Sequence, residues 1–229
     1  MSFHFKQFSI THQTHGLKVN TDGCLLGALA NTKHPQNCLD IGTGTGVIAL
    51  MLAQKFPDAF VVALEILPAI HAQAQLNIAA SPFAQRIDCL NADIQTFSNE
   101  GLFDLITCNP PYFTNHLKST DHARNSALHT EGLTPELLAQ KINLLLSANG
   151  HAWVIYPPAE ALLFEKQIEA QQLQIHQRIA VFNKPDNHYR TVLSIGKESA
   201  EIKHSELLIA DEAGQRSAAF SQLMFDFYL

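Results

Sequence analysis

A chain of 229 residues that is 46% hydrophobic and 16% charged has the bulk and polarity of one globular domain with a full core. A net charge of −6 argues against a protein that coats nucleic acid through overall positive charge, while leaving room for local basic patches. No apolar run approaches the ~18 residues of a membrane span, the N-terminal Met1-Ser2-Phe3-His4-Phe5-Lys6 lacks the apolar stretch of a secretion signal, and Cys24, Cys38, Cys89 and Cys108 show no CxxC spacing, which points to buried thiols in a reducing cytoplasm and to no metal site.

Phe3, Phe5, Phe8 and Ile10 alternate like a strand that slips by one residue, so a bulge or short break is predicted between Phe5 and Phe8. Leu17-Lys18-Val19 reads as the return strand after a turn at Gly16. Asn20-Thr21-Asp22-Gly23 then opens a short apolar helix, with Thr21 or Asp22 as its cap. Residues 1–30 are thus an N-terminal extension, either packing or a lid beside a ligand, and residues 31–229 form the main domain.

From residue 37 to 156 strands and helices alternate. Strands are predicted at 38–41, 60–64, 87–90, 102–108 and 152–156. Helices are predicted from Val47 to Lys55, from Pro68 with Ile70, Ala74 and Ile78 on one face, and from the Thr134-Pro135 cap to before Gly150. That alternation means α/β architecture, a parallel sheet with crossover helices. Beyond Pro157-Pro158 a helix over about 158–172 leads to a hairpin, 175–182 and 189–195, around the turn-rich Asn183-Lys184-Pro185-Asp186-Asn187. A short strand at 206–209 and an amphipathic helix at 215–225 complete the chain, with no repeat or linker.

Asp40-Ile41-Gly42-Thr43-Gly44-Thr45-Gly46 comes directly after the first of these strands and opens the first helix. Gly42, Gly44 and Gly46 let the backbone turn sharply and approach a ligand closely. The spacing G-x-G-x-G with a preceding acid departs from the G-x-G-x-x-G of dinucleotide enzymes. A pyrophosphate favours a helix N-terminus without a carboxylate beside it, so Asp40 suits a cationic amine or sulfonium better. Glu65 ends the second strand 19 residues after Gly46, where it can accept from both hydroxyls of a ribose. Asp93, after the third strand, can accept from an adenine amino group. Together they describe S-adenosylmethionine bound across three strand ends.

Asn109-Pro110-Pro111-Tyr112 ends the fourth strand. Taken alone it is a rigid turn. Beside a methyl donor it suits methylation of a planar amino group, whose lone pair is delocalised. The Asn109 side-chain oxygen and the Pro110 carbonyl can each accept one amino hydrogen, with the prolines aiming both in advance. Tyr112, and Phe113 after it, offer faces on which a base can stack. The proton can leave after transfer.

The glycine loop and the Asn-Pro-Pro-Tyr turn resemble those of class I methyltransferases that act on exocyclic amino groups of adenine or on glutamine in release factors. Phe5-Lys6-Gln7-Phe8, Lys18-Val19-Asn20-Thr21-Asp22-Gly23 and Asp226-Phe227-Tyr228-Leu229 extend the resemblance nearly end to end, to the bacterial tRNA(Val) adenine-N6 methyltransferases, which act on the adenine at position 37 of the anticodon loop. The resemblance implies a seven-stranded Rossmann-like sheet with an antiparallel last strand and helices on both faces. It also implies that residues 18–23 close over the cofactor, with Thr21 and Asp22 as contacts. The expected partner is tRNA, with no membrane and no stable protein partner.

Basic residues are placed locally. Lys118 and Arg124, with His116, His122 and His129, come after the active-site turn, and Lys184, His188 and Arg190 sit at the hairpin; they are either solvated loop charges or contacts to anticodon-loop phosphates. The long irregular stretch 113–133 favours a functional loop, and the target base must be splayed out to reach the pocket. Other readings stay open. A glutamine methyltransferase usually carries a larger helical region before its glycine loop, and 39 residues precede Asp40 here. An rRNA adenine-N6 methyltransferase shares the same chemistry. A DNA adenine methyltransferase normally needs a target-recognition domain, and a non-catalytic S-adenosylmethionine-binding module has no use for the Asn109 clamp.

Overall fold

The computed structural model describes residues 2–12, 18–111 and 133–229. In chain order its elements are β1 (Ser2–His4), β2 (Ser9–Thr11), α1 (Thr21–Leu29), β3 (Asn37–Ile41), α2 (Val47–Lys55), β4 (Phe60–Glu65), α3 (Pro68–Ala79), β5 (Ile87–Asn91), β6 (Phe103–Cys108), α4 (Pro135–Leu145), β7 (Leu146–Tyr156), α5 (Pro158–Ala170), β8 (Gln174–Lys184), β9 (Asn187–Gly196), β10 (Lys203–Leu208) and α6 (Ala218–Leu223).

One eight-stranded sheet runs β10-β8-β9-β7-β6-β3-β4-β5. All its neighbours pair in parallel except β9, which is antiparallel to β7 and β8. The seven strands expected from the resemblance are present, the antiparallel one wedged between β7 and β8, and β10 adds an eighth at the edge. Central strands are covered on both faces, so they read as continuous apolar runs. On one face Cys38 and Leu105 join a core with α1, α2 and α3. On the other, Leu39, Ile41, Ile106 and Cys108 pack on Leu138, Ile142, Ala161 and Phe164 of α4 and α5. Helix α2 is buried from Val47 to Ala53 because α1 lies over it. It is therefore apolar all round, as a fully enclosed helix must be.

The ends of the chain depart from expectation. The slip after Phe5 is a hairpin turn: the Phe5 amide donates to the Phe8 carbonyl at 2.9 Å, and β1 pairs with β2 in register Phe3↔Ile10. The return strand is therefore Ser9–Thr11, and Lys18 and Val19 are irregular. This hairpin packs on the C-terminus, where the Lys6 amide donates to the Phe227 carbonyl at 2.8 Å and Phe5 bridges Tyr228. So the two terminal motifs of the resemblance meet in space. The cap of α1 is Asn20 rather than Thr21 or Asp22, because its Oδ1 reaches the Gly23 amide at 2.8 Å, three residues on. The final helix is shorter than 215–225, since Arg216 bridges Ala210 and Ser217 caps the helix behind it. The hairpin turn narrows to Pro185 and Asp186, with Asp186 at φ 60°.

Candidate active site at the carboxyl edge of the sheet

The parallel registers bring four strand ends into line. Ile41 pairs with Cys108 and lies beside Leu64, and Glu65 pairs with Asn91. The segments leaving β6, β3, β4 and β5 therefore sit side by side, and they carry Asn109, the glycine loop, Glu65 and Asp93. The chain winds outward from β3 through β4 and β5 on one side, and through β6 and β7 on the other. The crevice at that reversal is where open α/β sheets bind ligands.

Gly42, Gly44 and Gly46 have φ of 71°, 59° and 84°, a region that strains residues bearing a Cβ. A Cβ built on Gly42 would meet nothing within 4 Å, so the backbone there faces open space that a ligand can enter. Beneath the loop, Asp40 is fully buried. Thr43 Oγ1 donates to its Oδ2 at 2.6 Å and Thr107 Oγ1 to its Oδ1 at 2.9 Å. The acid thus ties the loop to β6, Thr107 being its register partner. Burial pushes the Asp40 carboxyl up to about 6, against the hydrogen bonds from Thr43 and Thr107. Glu65 is also buried, its Oε2 accepting from the Gly44 amide at 3.0 Å and its Oε1 from the Leu67 amide at 3.0 Å. A carboxylate offers about four acceptor positions, so Glu65 can hold the loop and still accept from a ligand. From behind, the Asn77 amide group donates to the Thr45 carbonyl at 2.9 Å while its Oδ1 accepts from the Thr11 amide at 3.0 Å.

Asp93 is half-buried after β5, and its Oδ1 accepts from the Gln95 amide at 2.9 Å, fixing the turn. Asn109 is half-buried, Pro110 buried and Pro111 exposed. Tyr112, Phe113, His116, Lys118, His122, Arg124 and His129 lie outside the described residues. Thr21 is exposed at the start of α1, and Asp22 beside it is buried. Gly23 packs against the start of α2, where a Cβ would stand 3.2 Å from Val47, the residue after Gly46. Residues 20–23 therefore sit next to the glycine loop. Of the basic residues at the hairpin, Lys184 is exposed. Arg190 is engaged: its Nε lies 2.9 Å from Asp22 Oδ2, and its guanidinium stacks 3.9 Å from the Tyr189 ring centre. Register Thr191↔Tyr156 puts Arg190 at the same edge of the sheet as the site. Among the described residues no cluster of His, Cys, Asp and Glu could hold a metal ion, and no helix is long and apolar enough to cross a membrane.

Sequence reasoning missed Asn20, Asn77, Thr107 and Tyr189. Asn77 left one usable signal, an amide on the same helical face as the buried Ala74 and Ile78. Thr107 left none, because a threonine in a strand is ordinary.

An open glycine backbone flanked by two acids fits a nucleoside-bearing ligand: Glu65 can accept from vicinal hydroxyls and Asp93 from an exocyclic amine. Comparisons with known proteins identify the family. Residues 18–156 match the methyltransferase small domain family. A tRNA1(Val) (adenine(37)-N6)-methyltransferase from Pedobacter heparinus is 38% identical over 234 residues, covering 100% of this chain and 98% of that protein. The protein of the same name from Bacteroides fragilis is 38% identical, covering 99% of this chain and 97% of its own length. Among solved structures, a predicted O-methyltransferase from Agrobacterium tumefaciens superposes with a TM-score of 0.71 at 16% identity, over 90% of this chain and 96% of that one; this likeness is one of fold.

Proposed function

We propose that this chain, which belongs to the methyltransferase small domain family and to the tRNA1(Val) (adenine(37)-N6)-methyltransferases within it, methylates the exocyclic N6 of adenine 37 in tRNA1(Val). S-adenosylmethionine, when bound, supplies an electrophilic methyl group on a sulfonium. The observation that carries the reading is the alignment of Asn109 with the glycine loop, Glu65 and Asp93 along adjacent strand ends.

In this reading the backbone from Gly42 to Gly46 lets the donor approach, with Asp40 setting the loop's shape from below. Glu65 accepts from the ribose hydroxyls and Asp93 from the donor's adenine amine. Thr21 and Asp22 wall the pocket on the α1 side. The Asn109 side-chain oxygen and the Pro110 carbonyl accept the two hydrogens of the target amino group, which turns its nitrogen toward the methyl and favours charge developing there. Transfer would break the methyl–sulfur bond, its electron pair staying on sulfur, as the C–N bond formed, and N6 would then lose one proton to solvent. Tyr112 and Phe113 stack the splayed base, and Lys118, Arg124 and Lys184 neutralise phosphates of the anticodon loop. The enzyme then acts in the cytoplasm, where its tRNA is found.

The test is incubation with labelled S-adenosylmethionine and tRNA from cells lacking the modification, with the products identified by nucleoside mass spectrometry. N6-methyladenosine in the valine tRNA fraction is expected. Label in rRNA or protein alone overturns the substrate assignment.

A further inference from the structure

We infer that the Asp22–Arg190 ion pair is a positioning contact that couples the methyl-donor pocket to the β8–β9 hairpin, so that donor affinity depends on Arg190, a residue set apart from the glycine loop. The inference rests on the proposed function in taking S-adenosylmethionine as the donor.

Asp22 lies in the first turn of α1, capped by Asn20 and pressed by Gly23 against Val47. The position of α1's first turn and that of the glycine loop are therefore linked through a tight backbone-to-side-chain contact. Arg190, 168 residues further on, reaches Asp22 from β9 at 2.9 Å. Their side chains keep only 6% and 16% of their exposure, so the pair is largely shielded from water. Arg190 is itself held in place: Nη1 donates to the Tyr189 carbonyl at 2.7 Å, and the ring of Tyr189 lies under the guanidinium at 3.9 Å. Burial, together with the Asp22 charge, pushes the Tyr189 phenol up.

Removing one partner of a shielded pair strands the other charge, which must move toward water or find a new partner. If Arg190 is lost, the first turn of α1 is the piece that must shift, and its contact with Val47 passes that shift to the residues after Gly46. If Asp22 is lost, Arg190 is released near the turn end of the hairpin, where it pairs with Val181 and where Lys184 is exposed. Each change thus reaches both sides of the site. This gives Arg190 a role other than the phosphate contact expected from its charge.

The test is titration of the full-length protein with S-adenosylhomocysteine by calorimetry, without RNA, on wild type, R190M, R190K, D22N and D22N/R190M, each checked for folding by circular dichroism. R190M and D22N should each weaken binding roughly tenfold, a typical size for coupling between sites. The double variant should be no weaker than either single one, because one contact is lost in all three. R190K, which keeps the charge but loses the stacked fork, should weaken binding measurably, by less than R190M does. It carries the test together with D22N if R190M does not fold. R190M binding as tightly as wild type overturns the inference, as do losses that add in the double variant. Wild-type protein that fails to bind S-adenosylhomocysteine overturns the proposed function itself.

Discussion

Two buried aspartates flank the site, and they are partnered in opposite ways. Asp40, under the glycine loop, is held by the hydroxyls of Thr43 and Thr107 and, among the described residues, by no cation. Asp22, at the start of α1, is held by the guanidinium of Arg190. The proposed donor side is thus built from backbone geometry and hydrogen bonds from uncharged donors local to the strand ends. The hairpin side is joined across the whole chain by charge. The partners of Asp40 lie three residues away and on the paired strand, whereas the partner of Asp22 lies 168 residues further along the chain. For an enzyme that must bind a small cofactor and a large RNA together, this separates a locally built cradle from a wall joined across the chain.

The contrast between cradle and wall is tested hardest where both meet the reacting group. Asn109→Ala should lower kcat by roughly 10²- to 10³-fold, the usual size for an acceptor or donor aimed at developing charge. Donor affinity measured by calorimetry should be nearly intact. Equal losses in both would remove Asn109 from the clamp.

Next is Glu65→Ala, which removes the acceptor of the Gly44 and Leu67 amides together with the proposed ribose contact. Donor affinity should fall by about 100-fold, with stability reduced by about 1–3 kcal/mol for the unpaired amides. Binding and thermal melts check the two parts separately.

Asp40→Asn probes the neutral cradle through pH. The folded carboxyl sits at about 6 against an ordinary value of 3.8, so the native state holds this proton more tightly than the unfolded chain. Its contribution to stability is full below the ordinary value and is lost as pH rises to about 6. An amide does not titrate, so D40N should gain on wild type across that window, by on the order of 3 kcal/mol at the plateau. Thermal melts from acid to neutral pH should show the gap opening and then holding level. A gap independent of pH would show that Asp40 does not titrate there.

The smallest effect belongs to the exposed Lys184. Lys184→Ala should weaken tRNA binding evenly across sequences and reduce the salt slope by about one. An unchanged slope would return Lys184 to the class of solvated surface charges.

Much of the geometry of the proposed donor side was legible in the chain because its signals are local. Glycine at fixed spacing, an acid ending one strand and another just after the next are each readable within a few residues, and parallel registry then does the assembly. The central strands and helices were legible for the same reason, since burial on both faces leaves continuous apolar runs. What escaped is non-local. Nothing in the neighbourhood of Asp22 announces a partner 168 residues away. Nor does the Asn77 neighbourhood show that its amide reaches both Thr11 and Thr45. The N-terminal strand was misplaced because a two-residue turn at Lys6 and Gln7 and a one-residue bulge leave the same slip in alternation. The position of β9 between β7 and β8 depends on pairing partners that hydrophobic pattern alone does not specify.

The central claim is that Asn109 and its neighbours hold the N6 of one adenine. The most direct measurement is methyl transfer to two unmodified tRNA1(Val) transcripts, one with adenine at position 37 and one with guanine there, with the product nucleosides identified by mass spectrometry. N6-methyladenosine is expected from the adenine transcript and none from the guanine transcript. Equal methylation of both, or a methyl group on any atom other than N6, would contradict the central claim.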